Sequence, residues 1–419
     1  MTPKQKILSA FLLLAALVYC FTEANGLGDF YIFMSASSYI DGHTDIYSHG
    51  FLIDYHYYYS VLFALLLKPL GSLPFFWVKW CWLLFNMGLY FHLMRLMARS
   101  EALQAFTIRQ KNLFLLIVFI FSFRFLRENI HVSQITILIL WCCVMGLRNI
   151  HLGKNLRGSL LLAMGINIKL LPIVFLPYLL YRGYFKAFAF TIVFYAASML
   201  GPGFIIGHDY NIYLLKCWFS LINPTNTHHV LDVDERSFHS LTTLLSTLLV
   251  EKVPDYYAMS LKRNIADVPL ETLARIILAV RLALAAFTLY FLRSLPFKKA
   301  KNNGQVVFEI SYILLLVPLI FPHQQHYAFL FVVPAFNCVL YVLFRERGRL
   351  PLVKKVLYIV LLSIIALCGN LKIWLGEYNG YYEHFKILTY GALLLIPLLA
   401  LAFREVYGEE EDNLNTGGF

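Results

Sequence analysis

Apolar residues in this chain do not alternate, and they do not recur as a single helical stripe. They come in unbroken runs, separated by short polar or basic joints. Runs of about twenty residues, at about 1.5 Å rise each, match the roughly 30 Å hydrocarbon core of a bilayer. Helices satisfy their own backbone polar groups in such a medium. The pattern predicts spans at 7–21, 74–97, 113–125, 134–147, 185–206, 270–292, 306–321, 327–344, 356–375 and 387–403. The expected fold is therefore an all-α polytopic membrane protein, a bundle of about ten transmembrane helices with outer-face loops and interfacial or re-entrant helices. Residues 1–404 are expected to form a single transmembrane domain, and the acidic tail 405–419 to be disordered.

Three runs break the pattern. The stretch 57–70 is short and begins with tyrosines, as interfacial segments do, and 241–250 is short enough to re-enter or lie flat. The run 158–183 is long enough to cross, yet it carries Asn167, Lys169, Pro172 and Pro177. A mid-membrane lysine costs about 2.5–3.5 kcal/mol on insertion scales, and proline breaks a helix. Two half-helices returning to one side fit better.

Charge sets the orientation. Arg95, Arg99, Arg109 and Lys111, then Arg148, Lys154 and Arg157, lie in joints on one side, which the positive-inside rule makes cytoplasmic. The half-helix reading also keeps Lys298, Lys299, Lys301, Arg345, Arg347, Arg349, Lys354 and Lys355 on that side, with both termini. The first run follows Lys4 and Lys6 without a convincing cleavage site and is read as an uncleaved span. The net charge of +11 thus reports topology, and no nucleic-acid partner is expected. Seven cysteines sit mostly inside apolar runs, without the spacing of a disulfide framework or a zinc site.

The longest polar interruption, 24–74, holds Asp29, Asp41, Asp45 and Asp54 with His43, His49 and His56 and a ladder of tyrosines. It shares the outer face with 127–134, 228–239, 321–327 and 375–384, and a reaction site there is the simplest use for such polar helix ends. Asp29 follows the first span and suits either a general base for a hydroxyl or the N-cap of the segment after it. Asp41, Asp45 and Asp54 read as turn or cap residues, and the DVD at 232–234 is a short pattern common by chance. His323 and His326 follow Pro322 at a span end, spaced as neighbours on one helix face, and suit a phosphate, a sugar or interfacial packing. Zinc lacks a third ligand there. Lys169 fits neutralisation of a lipid phosphate or pairing with a helix end. Arg124, Arg127 and Arg236 are outer cations able to hold a phosphate.

The ordered set GDFYIF, YYYSVLFALLLKPLGSLP, HVSQITILIL, GINIKLLPIVFLPYLLYRG and PHQQHY resembles the family 87 glycosyltransferases, a branch of the C-type integral-membrane glycosyltransferases. The resemblance implies transfer of a sugar, mannose favoured, from a polyprenyl-phosphate sugar donor to a lipid-linked or glycan acceptor. It places the reaction at the outer face of a bacterial inner (plasma) membrane, with inversion and no metal or cofactor. Asp29 becomes the base, and Gln134, Lys169, Arg236, His323 and His326 become donor-site or structural residues. Ser133-Gln134 stands where many relatives have Gly-Gln, and DERSFHS (234–240) where Gly-Asn-Gln-Ser is common. The partners expected are donor, acceptor and membrane lipids. The competing readings are a transporter or flippase of lipid-linked saccharide, which also uses broken helices but is built on an inverted repeat not found here. A non-catalytic scaffold and another C-type transferase, for aminoarabinose or GPI-type mannosyl transfer, are the others.

Overall fold

The computed structural model describes the backbone of residues 3–416, apart from 53–54, 224–237, 254, 256–257 and 293–294. The described residues form helices joined by turns, with two isolated backbone bridges and no strand. Six helices are long and apolar enough to cross a bilayer: Phe185–Ile206, Leu270–Leu292, Asn303–Ile320, His326–Arg345, Leu352–Ile373 and Ile387–Tyr407. They answer six of the expected spans, and the first two coincide with them residue for residue. In the first two and in Leu352–Ile373 only 11%, 17% and 22% of the apolar window is buried, against 72% in Asn303–Ile320 and in His326–Arg345. Whole apolar helices left uncovered by protein fit a chain whose solvent is lipid.

The other four expected spans are helical too, but differ in length or charge. Phe75–Ala98 carries Lys79 and Arg95, and Ile108–His131 carries Arg109, Lys111, Arg124, Arg127 and Glu128. Thr136–His151 has 16 residues, and Pro3–Glu23 has 21. Ile108–His131 also runs through most of the 127–134 segment that the sequence reads as a joint. The segment expected as an outer loop after 206 contains the helix His208–Ile222, whose Asp209, Asn211 and Lys216 hide it from a search for continuous apolar runs. The last helix, Ile387–Thr416, carries its backbone into the acidic tail.

The chain divides into two compact units. The first comprises Met1–Leu96, Leu126–Leu180 and Tyr184–Asn223. Its helices Thr136–His151 and Asn155–Ile168 approach backbone to backbone: a Cβ on Gly158 would stand 2.6 Å from the Gly146 carbonyl oxygen. Asn155–Ile168 stops at Lys169, which is extended, and Leu171–Val174 and Phe175–Tyr181 resume after it with Pro172 in the first turn. The expected break is thus in place. The helix Asp29–Tyr39 is held by aromatic rings: Phe30 stacks on Trp82 at 5.3 Å, and Phe33 meets Tyr59 edge-on at 4.6 Å and Phe63 at 5.4 Å. Buried Lys79 donates from Nζ to the carbonyls of Glu23 (2.9 Å), Gly26 (2.6 Å) and Leu27 (2.6 Å), which closes the turn between the first helix and Asp29.

The second unit comprises Met97–Phe125, Tyr181–Gly183 and Pro224–Phe419. Asn303–Ile320 runs through its interior, with Tyr312 stacked on Phe291 at 4.4 Å, while Phe121 stacks on Phe336 at 3.8 Å. Arg182, near the C-terminal end of the 158–183 run, is fully buried. Its Nη2 pairs with Glu309 Oε1, its Nε donates to Glu309 Oε2 at 2.9 Å, and Nη1 and Nη2 donate to the carbonyls of Lys298 and Leu292. A bidentate partner inside an apolar helix makes this charge part of the packing. Glu309→Ala, which strands the guanidinium, is expected to cost about 3–5 kcal/mol, and a double Arg182→Met/Glu309→Leu variant less than either single change. Unfolding of the purified protein in detergent checks both.

Candidate active site

Asp29 owes its position to the residue before it. Gly28 lies at φ +82° and ψ −178°, where side chains are not tolerated, and a Cβ there would stand 2.9 Å from the Val132 carbonyl oxygen. That carbonyl accepts the Asp29 backbone N–H at 2.8 Å. Gly28 is the helix N-cap and no side chain caps it, so Asp29 is the first helical residue and not the cap. Its half-buried carboxylate accepts from Gln134 Nε2 and faces the positive end of the helix dipole. Gln134 is buried and fixed in turn: its Oε1 accepts from the Tyr59 hydroxyl at 3.2 Å and from the Ile135 N–H at 3.2 Å. Burial pushes the Tyr59 hydroxyl well above its ordinary pKa, so it stays a donor. Lys169 Nζ lies 5.6 Å from the centre of the Tyr59 ring, and beside it Ser60 donates to Asn167 Oδ1 at 2.7 Å. Asp29, Gln134 and Lys169, far apart in sequence, therefore gather around Tyr59 in the first unit.

Sequence reasoning did not single out Tyr59. Its signal is the alternation of the ladder: Tyr57 and Tyr59 are buried while Tyr58 is not, the period-two pattern of an extended strand of chain. Ser133, beside Gln134, sits at φ +59°, and its carbonyl accepts from Trp82 Nε1 at 3.1 Å. The Gly-Gln pair of resembled relatives suits that backbone better. Asp45 Oδ1 accepts the Tyr47 N–H at 2.9 Å as a turn residue, and Asp41 pairs with exposed Lys68. Asp54, Arg236 and the DVD at 232–234 lie outside the described residues.

His323 and His326 belong to the second unit. They are not neighbours on a helix face: Phe321, before Pro322, is extended as pre-proline residues are, His323 has φ +56°, and helix resumes only at His326. Half-buried His323 meets the Phe238 ring at 5.2 Å. His326 is buried in a cluster that the sequence did not reveal. Its Nε2 lies 2.9 Å from His239 Nε2 and 2.9 Å from Glu383 Oε1, and His239 Nε2 lies 2.9 Å from Glu383 Oε2. The His239 N–H donates to Gln324 O at 2.9 Å, and the His239 carbonyl accepts from the Thr389 hydroxyl at 2.7 Å. Ser240 then caps the buried helix Leu241–Leu249. Lys372 Nζ stands 2.7 Å from Glu383 Oε1. Arg124 donates from Nη1 to Tyr382 Oη and Gly369 O, both at 2.7 Å. Glu383 stood in the sequence only as one acid in 375–384, and a three-dimensional contact was needed to find it.

Burial lowers the His239 ring to about 4, so it is neutral at pH 7. Burial alone would raise Glu383, but the adjacent imidazoles hold its carboxyl well below the ordinary range.

Helices of membrane-spanning length and apolar composition fit a multi-pass membrane protein. The family model for glycosyltransferase family 87 matches residues 57–322, and the chain belongs to that family. Gln134, Lys169 and Arg236 fall inside the matched range, and Asp29, His323 and His326 outside it. No curated protein and no solved structure matches the chain.

Gly28→Ala is expected to cost about 1–3 kcal/mol of stability, whereas Ser133→Gly leaves it unchanged or adds up to about 1 kcal/mol; thermal unfolding of each variant decides. Acidification supplies a second measurement. Between about pH 6.5 and pH 4 the unfolded chain protonates His239 and the folded one does not, so the His239 contribution to stability falls as pH falls, by about 1.4 kcal/mol per unit at most. His239→Gln should flatten that slope.

Proposed function

We propose that the chain transfers a sugar, mannose favoured, from a polyprenyl-phosphate sugar to a hydroxyl of a lipid-linked or glycan acceptor, at the outer face of a bacterial inner membrane. The observation that carries this reading is the Asp29 carboxylate at a helix start, with one oxygen held by the Gln134 amide. Asp29 takes the acceptor proton as the acceptor oxygen attacks the anomeric carbon. The bond to the phosphate on the opposite face breaks, and polyprenyl phosphate departs with inversion. Phosphate is a good leaving group, which lessens the need for a strong acid or a metal. Lys169, at the break between two helical segments, supplies a cation for the phosphate oxygens.

The test is sugar transfer by the purified protein from a panel of polyprenyl-phosphate sugars, mannose, glucose, galactose and arabinose among them. One donor is expected to be consumed, and Asp29→Asn to lower turnover at least about 100-fold with donor binding retained. Full activity in Asp29→Asn sinks the base assignment. Failure to consume any donor, with extracted lipids as acceptors, turns the assignment to transport of lipid-linked saccharide.

A further inference from the structure

We propose that His239, His326 and Glu383 form a binding site for a divalent first-row transition metal of the zinc class. The three side chains come from separate segments, 238–240, 321–327 and 379–384, and each is at most 4% exposed. Their ligand atoms converge, and all lie within 4.8 Å of one another.

Hydrogen bonding alone does not account for this arrangement. Each Nε2 has two neighbours at 2.9 Å, the other Nε2 and one Glu383 oxygen. If both nitrogens carry a proton for the carboxylate, two N–H groups abut. If either ring moves its proton to Nδ1, its lone pair faces a carboxylate oxygen at the same distance. For His239 that move also places the proton on a buried Nδ1 that has no hydrogen-bond partner. Every tautomer leaves one contact between like groups. A cation at the centre turns all of them into ligation.

The spacing suits an ion. Two atoms about 2.0–2.1 Å from one metal stand about 2.9 Å apart at a right angle and about 3.4 Å apart at the tetrahedral angle, so the cluster opens by about 0.5 Å at most. Two imidazoles and one carboxylate are a zinc donor set that leaves a position for water. Lys372 competes for Glu383 from 2.7 Å, but it is about a quarter exposed and has room to turn outward. The other nearby ammonium, Lys386, is paired with Asp255 at 3.2 Å.

The site stands apart from the transferase reading, and its test does not use activity. The full-length protein in detergent is stripped with a chelator, dialysed against Zn²⁺ or Co²⁺, and assayed for bound metal by mass spectrometry and for Co²⁺ by visible absorption. Wild type is expected to hold one ion per chain, and His239→Gln and Glu383→Gln to bind at least about tenfold more weakly while eluting as folded protein. His239→Cys keeps a ligand and should give a thiolate-to-cobalt charge-transfer band, which only a coordinated cysteine produces. The proposal is overturned if wild type retains no more metal than a His239→Gln/His326→Gln double variant, or if folded His239→Cys lacks the band. The cluster is then a metal-free hydrogen-bond network.

Discussion

The Lys79 ammonium is the group on which the first unit turns. It lies in the apolar helix Phe75–Ala98 and donates to the carbonyl of Glu23, the last residue of the first helix, and to those of Gly26 and Leu27 in the turn that follows. Burying an ammonium costs several kcal/mol, and three hydrogen bonds to a charged donor, at about 1.5–3 kcal/mol each, offset it. The carbonyls at a helix C-terminus also carry partial negative charge, which adds to the match. Once that turn is closed, little freedom remains before Asp29. Gly28 must take a conformation open only to glycine, Val132 accepts the Asp29 N–H, and Phe30 stacks on Trp82, three residues along from Lys79 in the same helix.

The same economy of buried polar groups explains which spans the sequence reveals. Phe185–Ile206 and Leu270–Leu292 are mostly uncovered by protein and predominantly apolar, so they stand out in the sequence as continuous runs. Helices with protein neighbours are allowed charges. Lys79 and Arg124 lie inside expected spans and Arg182 near the end of the 158–183 run, and each is satisfied by groups distant in sequence. A residue's hydropathy reports the solvent it would prefer, whereas its partner is set by tertiary structure.

The candidate site divides along the same line. Asp29 and Lys169 stood out because a carboxylate and an ammonium interrupt apolar sequence, Gln134 was singled out only through the family resemblance, and the structure brings all three around one tyrosine. The Lys169 break was legible as well, since a lysine and two prolines in one run oppose a continuous helix. The His239, His326 and Glu383 cluster was not. Its members lie in three separate segments, His239 just before the helix Leu241–Leu249, His326 at the start of His326–Val332 and Glu383 in Asn379–His384, and Pro322 disrupts the helical spacing that the two late histidines have in the sequence.

Two carboxylates in this chain sit in opposite environments, and that contrast separates their chemistry. Glu383 is buried beside two imidazoles and an ammonium, which stabilise its charged form. Such a group is a poor proton acceptor and a good ligand. Asp29 is half-buried, and Gln134 orients it through a neutral amide, which directs a lone pair. The Tyr59 hydroxyl keeps that amide from turning over, because it donates to the oxygen end and leaves the NH₂ end for Asp29. In the proposed transfer the base accepts a proton and releases it in every cycle, which requires its direction to be fixed. An amide locked by a buried phenol supplies that.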